Sequence, residues 1–169
     1  MLETAADLEV LQALLDRSVA GASEHLVGIV TPEHRLTAEQ LVQVVTGMST
    51  LALATVTAAG EPRVSGVDGH FLRGRWLFTT SGTAVKTRHL RARPACSAAH
   101  LRGDELGVFT HGRVQLMAPE QVPAWVEHHL VAHYGSSPTS WGPDIVYAWV
   151  EPSWMVAYAH DPGALLQGA

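Results

Sequence analysis

The sequence has one cysteine, Cys96, in 169 residues. A single cysteine cannot form an internal disulfide or build a thiolate metal site by itself. No apolar run approaches the roughly 20 residues that a transmembrane helix needs, and the N-terminus lacks the basic start and apolar stretch of a signal peptide. We therefore expect a cytoplasmic protein that does not contact a membrane.

Lysine is almost absent too, because Lys86 is the only one beside ten arginines. The net charge of -5 argues against nucleic-acid binding through phosphate neutralisation. Both ends of the chain are acidic, whereas its middle holds nine cations and three acids. This basic island consists of Arg63, Arg73, Arg75, Lys86, Arg88, Arg91, Arg93, Arg102 and Arg113. It indicates either an anion site or an arginine-rich solvated surface.

Several motifs that mark common enzyme classes are missing. The sequence has no Gly-x-Ser-x-Gly, no dinucleotide fingerprint and no Walker loop, which excludes the corresponding hydrolases and nucleotide-binding folds. Ten histidines leave a metal or haem alternative open. His129 and His133 have the spacing of two ligands on one helix face, but no glutamate follows His129 to act as a base, so we predict no metal site. His70 or His111 are the candidate haem ligands.

Hydrophobic periodicity predicts mainly strands with flanking helices. Helices are expected over 5–19, after a Thr37–Gln40 capping box, over 84–91 and over 119–134, with 20–33 a linker. Six or seven short strands are expected at 51–57, 62–67, 75–80, 95–101, 107–116, 145–150 and 154–159. This order predicts an antiparallel β-barrel rather than a βαβ sheet. We expect one domain over 1–169, in which 1–48 form a helical extension.

The segment from Phe78 to Leu90 has the composition of an anion site. Its residue pattern predicts a strand end, a hydroxyl-rich loop and a helix start. A helix N-terminus presents free backbone N-H groups and a partial positive charge, to which Lys86 adds a full charge. Threonine and serine hydroxyls add donors. The alternative is an ordinary helix start with a surface lysine.

The order of motifs resembles a known family. The motifs are Ala54-Thr55-Val56, Gly60-Glu61-Pro62, Leu77-Phe78-Thr79-Thr80, Lys86-Thr87-Arg88-His89-Leu90 and Arg93-Pro94. Together they resemble the split β-barrel FMN-binding family that includes pyridoxamine 5'-phosphate oxidase. The Lys-Thr-Arg-x-Leu element is similar to the deazaflavin-dependent reductase branch of that family.

The resemblance implies a split β-barrel homodimer, with FMN or coenzyme F-420 in a cleft between subunits. It implies an oxidoreductase acting on an unidentified small molecule, with no catalytic side chain, because the cofactor ring carries the hydride. A haem-binding protein and a non-catalytic flavin carrier or sensor are the alternatives. Some of the five tryptophans are expected to line the ring pocket or interface, although core positions are more usual. The expected cofactor-binding residues are Lys86, Arg88, Thr79, Thr80, Ser81, Thr87, Arg63 and Ser65.

The sequence departs from the oxidase pattern at three places. The oxidase has phosphate-binding arginines at the positions of Ser65 and Val85, and Arg63 is the candidate replacement on the same strand face. No basic residue follows Arg113, so the C-terminal substrate-binding pattern is missing as well. We therefore do not expect vitamin B6 oxidation.

Overall fold

The computed structural model describes residues 2–168, in which six antiparallel strands close into a barrel with helices outside it. Around the barrel the strands follow the order β1-β2-β3-β6-β5-β4. The strands are β1 (Met48–Val56), β2 (Pro62–Leu72), β3 (Arg75–Ser81), β4 (Ala95–Arg102), β5 (Leu106–Met117) and β6 (Ile145–Ala159). The helices are α1 (Ala5–Ala20), α2 (Glu24–Ile29), α3 (Ala38–Val44), α4 (Val85–Ala92), α5 (Ala124–Tyr134) and α6 (Pro162–Gln167). The mainly β split-barrel prediction is confirmed.

Local capping signals explain where the first helices begin. Thr4 accepts a hydrogen bond from the Asp7 backbone N-H, and the Asp7 carboxylate accepts one from the Thr4 backbone in return. Thr37 and Gln40 form the same reciprocal box at the start of α3. Each box satisfies donors that a helix start would leave free. Both predicted starts are therefore confirmed.

Besides β2, which continues to Leu72 beyond its expected end at residue 67, four elements differ from the sequence-based prediction. Helix α2 lies within the expected linker, and α6 follows the last strand. The helix expected from residue 119 begins only at Ala124, because Pro119 opens a separate 3-10 turn and Pro123 caps α5. The two last predicted strands form one strand, β6, which a register irregularity opposite His111 and Gly112 allows to continue past Pro152.

The barrel interior and the α1 and α3 helices share one apolar core. Trp76 is fully buried there, and its indole N-H donates to the Thr110 hydroxyl at 3.2 Å. Helix α1 covers β6, where the Ser18 hydroxyl accepts from the Met155 backbone N-H at 2.9 Å. None of the helices in residues 2–168 has the length and apolarity to cross a membrane.

The barrel is split between β2 and β3. Strand β2 pairs with β1 from Pro62 to His70, but with β3 only over Gly69–Leu72. Beyond the Gly69–Phe78 pair β2 and β3 separate, and Thr79 to Ser81 pair with β6 alone. A Cβ at Gly69 would collide with the Leu51 side chain, so a glycine is required where the strands diverge. The N-terminal half of β2 is left with a free backbone edge facing a cleft.

Candidate functional site

The split opens into a cleft of about 260 Å³. One wall is the unpaired part of β2, and the other is the end of β3 with the start of α4. The lining residues are Gly66, Val67, Asp68, Thr79, Thr80, Lys86, Trp141 and Ile145. Three of the eight predicted cofactor-binding residues, Thr79, Thr80 and Lys86, thus meet in one cleft.

Lys86 lies in the first turn of α4, and its ammonium has no hydrogen-bond or ion-pair partner in residues 2–168. The helix begins at Val85, and Ala84 at the preceding N-cap position has no side chain that could cap it. Helix starts leave N-H groups free unless a side chain or ligand binds them. The cleft therefore presents an uncommitted cation beside an uncapped helix start, which is a favourable environment for a phosphate.

The hydroxyl-rich turn before α4 uses most of its donors internally. The Ser81 and Thr83 hydroxyls lie 2.8 Å apart, and Ser81 also accepts from the Thr83 backbone N-H. Thr87 is fully buried and donates to the Ser81 carbonyl at 2.7 Å. Ser81 and Thr87 thus shape the turn and do not line the cleft.

Much of the basic island has a structural role. Arg91 donates to the Gly82 carbonyl at 2.7 Å, and Arg93 donates to the Val56 carbonyl at 3.1 Å. Arg75 pairs with Glu151 while its guanidinium lies 4.5 Å from the centre of a Trp149 ring. These contacts hold α4 and the strands in place, so fewer guanidinium groups are free to bind a ligand directly than the sequence indicates.

The remaining predicted basic residues lie outside the cleft lining. Arg63 is exposed and pairs with Glu61 at 2.8 Å. Ser65 stands on the same face of β2, since Arg63 and Ser65 pair with the inward-facing Thr55 and Leu53. Arg88 is exposed on α4, two residues after Lys86. Lys86 is therefore the one cation among the residues that line the cleft.

Two acids restrict where an anion could bind. Asp68 lines the β2 wall opposite Lys86. Asp144 packs against the turn, because its carbonyl accepts from the Gly82 N-H at 2.6 Å and its carboxylate occupies the space of a Cβ on Gly82. Asp68 disfavours an anion at the β2 wall, and Asp144 disfavours one at the Gly82 turn. This leaves the region around Lys86 as the favoured position.

Sequence reasoning missed Gly66, Val67 and Ile145 besides Asp68. It included Trp141 only as one of five tryptophans, some of which were expected at the ring pocket or interface. Gly66 and Val67 belong to a strand that was expected to end at residue 67, and its longer course carries Asp68 and His70. Trp141 follows α5 in a short 3-10 turn, and only its exposure of 47% distinguishes it from a core tryptophan.

A second polar cluster lies beside the cleft, where α5 packs over β2. The His70 ring is 1% exposed, and its Nδ1 lies 3.1 Å from His129 Nε2. Its Nε2 lies 2.9 Å from the Tyr134 hydroxyl. Burial, together with the neighbouring His129 and His133, lowers the pKa of His70 from 6.5 to about 4. His70 is thus a neutral ring whose two nitrogens already have partners, which leaves none for a haem iron.

No group of three or more histidine, cysteine or carboxylate side chains in residues 2–168 has the arrangement of a metal site. Among the described residues, three further clefts lie along α1. One, of about 280 Å³, is lined by Arg17, Arg73 and Arg75. Its cations face Asp7 and Glu151, and Arg73 lies over the Trp125 ring at 4.2 Å. Two of the three arginines there are ion-paired, Arg73 with Asp7 and Arg75 with Glu151. The cleft at Lys86 is the better ligand site because its cation lies beside a helix start that also has free backbone N-H groups.

Comparison with known proteins supports the fold. No family model and no curated protein matches the sequence. A conserved hypothetical protein from Mycobacterium tuberculosis superposes with a TM-score of 0.66 at 16% identity, covering 78% of this chain and 90% of that one. A protein called F420 reductase gives 0.54 at 22% identity, covering 66% and 92%. A putative pyridoxamine 5'-phosphate oxidase from Listeria innocua gives 0.52 at 12% identity, covering 64% and 87%.

These likenesses define the class of structure. The chain has the split β-barrel fold of the F420 reductase and of the putative pyridoxamine 5'-phosphate oxidase. The fold that the sequence resemblance implied is therefore confirmed. Because many functions share one fold, the activity has to be argued from the cleft itself.

Proposed function

We propose that this protein is a flavin- or deazaflavin-dependent oxidoreductase whose cofactor phosphate binds at Lys86. The observation that carries the proposal is the unpaired Lys86 ammonium beside the uncapped start of α4, in the cleft where β2 and β3 separate. Thr79 and Thr80 would hold the same group through their hydroxyls, and Arg88 and Arg63 would add long-range charge. FMN and coenzyme F-420 both remain candidates.

The residues present indicate which roles belong to the cofactor and which to the protein. A bound flavin or deazaflavin would supply the hydride chemistry, and the chain would supply position and charge. The free edge of β2 offers backbone donors and acceptors to the polar edge of a flat ring. One lining cation fits a single phosphate held with moderate strength, as in a cofactor that exchanges with solution.

Titration of the purified protein with FMN and with coenzyme F-420, followed by fluorescence, tests the proposal. The Lys86→Ala variant should bind the preferred cofactor ten- to hundredfold more weakly, since a charge-assisted hydrogen bond contributes about 1.5 to 3 kcal/mol. Tight FMN binding alone would identify a flavin, and tight F-420 binding alone would identify a deazaflavin.

The matched control is Arg102→Ala, which removes one positive charge from the basic island at the exposed end of β4, outside the cleft lining. It should leave affinity within about twofold, because exposed charges beyond a Debye length are screened. Unchanged affinity in Lys86→Ala, or an equal loss in both variants, would rule out a phosphate site at Lys86.

We further propose that the protein acts as a homodimer through the outer face of β1, β2 and β4. This face carries Val64 at 70% exposure, Leu101 at 55% and Met48 at 40%, with Ala52 between them. Exposed apolar side chains on one face of a sheet, here interspersed with Thr50 and Asp68, favour an interaction surface. Gly66 and Asp68 stand on the same face of β2, so a second copy there would cover the open side of the cleft.

The oligomeric state tests this interface directly. Light scattering behind size-exclusion chromatography should show a dimer for the natural chain and a monomer for Val64→Asp, because a carboxylate would be buried against apolar groups. Val10→Asp, at an equally exposed valine on α1, is the matched control and should remain dimeric. A monomeric natural chain would contradict the proposal.

The buried free thiol of Cys96 favours a reducing compartment, and we propose the cytoplasm.

A further inference from the structure

Trp141 is an unusual residue in the cleft. It is the one tryptophan among the strongly exposed apolar residues of 2–168, with an exposure of 47%. It borders the same cleft as Lys86, Thr79 and Thr80. A large aromatic side chain left half in water at a polar cleft has not been placed there by core packing.

The indole is nevertheless held in position. Its Nε1-H donates to the Ser136 hydroxyl at 3.1 Å. Its ring packs against the Tyr134 ring at 4.8 Å between centroids, with the two planes at 88°. The Tyr134 hydroxyl is in turn bonded to the buried His70. Trp141 is therefore anchored through Tyr134 to β2. Because the indole is already ordered, ligand binding would cost little of its side-chain entropy.

We propose that Trp141 stacks on the planar ring of the ligand whose phosphate binds at Lys86. This inference rests on the proposed function and adds the residue that selects for a flat conjugated ring. Offset stacking of two aromatic systems is favourable beyond the apolar area that it buries. Because Lys86 and Trp141 border one cleft, a ligand with both a phosphate and a ring system can engage both at once.

The two contributions separate if the phosphate is removed from the ligand. Affinities would be measured for FMN and riboflavin, and in parallel for coenzyme F-420 and its phosphate-free 5-deazariboflavin core. Trp141→Ala should weaken binding of both members of a pair by about five- to fiftyfold. Lys86→Ala should weaken only the phosphate-bearing member. In the double variant the two losses in binding free energy should add, since the sites contact different parts of the ligand.

Protein fluorescence gives a second readout that does not depend on turnover. Bound flavin should quench the indole emission of the natural chain, and Trp141→Phe should lose most of that quenching while it retains a ring. The matched control is Trp154→Phe, which alters an indole stacked on His111 outside the cleft lining and should preserve the quenching.

Each outcome decides the inference. If Trp141→Ala keeps the affinity of the natural chain for all four ligands while Lys86→Ala loses the phosphate-bearing ones, the stacking role is wrong and the proposed function stands. If Trp141→Ala raises only the KM of an electron acceptor, the ring in contact belongs to the substrate, which also overturns it. If the natural chain binds none of the four, the proposed function fails together with the inference.

Discussion

Strand β2 joins two polar clusters that differ in how their hydrogen-bonding groups are satisfied. At its open half, the Lys86 ammonium has no partner in residues 2–168, and the neighbouring helix start is uncapped. At its paired half, His70 is buried and both ring nitrogens are bonded, to His129 and Tyr134. A buried polar group without a hydrogen-bond partner destabilises the fold, whereas a polar group on a cleft is solvated and remains free to bind a ligand. The difference assigns ligand binding to the first cluster and structural support to the second.

Removal of the His70 ring should have the largest effect on stability. His70→Ala leaves a cavity and two unpaired polar groups, so the free energy of unfolding should fall by about 3 kcal/mol in urea denaturation. His128→Ala, at an exposed histidine of the same helix as His129, is the matched control and should change stability by less than about 0.5 kcal/mol.

A substitution in the Lys86 cluster should reduce cofactor affinity and leave the free energy of unfolding unchanged. Lys86→Ala removes no hydrogen bond or ion pair within the described residues, so its stability should stay within about 0.5 kcal/mol of the natural chain while its cofactor affinity falls. A marked loss of stability in Lys86→Ala, or none in His70→Ala, would contradict the assignment of the two clusters.

The pH dependence of stability tests the role of His70 as well, with an expected effect somewhat smaller than that of His70→Ala. Because the pKa of His70 falls from 6.5 to about 4 on folding, the unfolded chain binds more protons between these values. Stability is therefore complete above pH 6.5 and decreases as the pH falls towards 4. At about 1.4 kcal/mol for each pKa unit, the loss is at most about 3 kcal/mol. Urea denaturation at a series of pH values measures it.

His70→Gln is the variant that isolates this dependence. Glutamine cannot take up the proton, so the slope of stability against pH between 6.5 and 4 should become shallower. Some slope should remain, because burial also lowers the pKa of His100 and of His129. An unchanged slope in His70→Gln would show that His70 does not titrate as its environment indicates.

Helix starts and strands could be predicted from the sequence where the signal was local. The Thr4 and Thr37 capping boxes, the turn at Gly103 and the alternation in β1 involve residues within a few positions of one another, and the structure has them all. Helix α2 and the continuous β6 could not be predicted in this way. Helix α2 has six residues, none of them buried, and its Ser23 cap is too weak a signal by itself to predict a helix. Strand β6 depends on pairing with β3 and β5, and a proline at position 152 normally ends a strand.

The candidate site divides in a similar manner. Lys86, Thr79 and Thr80 are close in sequence, and the strand-loop-helix pattern of their segment is enough to predict that they lie together. Asp68 and Trp141 are distant from Lys86 in sequence, and only the tertiary structure brings them to the cleft. The basic island shows the limit of composition, because Arg91 and Arg93 are bonded to backbone carbonyls and contribute to the architecture.

The sequence by itself determined the barrel class and the segment around Lys86, because residue periodicity and capping act over a few residues. Only the tertiary structure decided that β2 and β3 separate after Gly69, that Trp141 borders the cleft, and that His70 bonds to His129 and Tyr134. The His70 contacts join residues 59 and 64 positions apart. Such contacts depend on how the whole chain packs, and no local pattern encodes them.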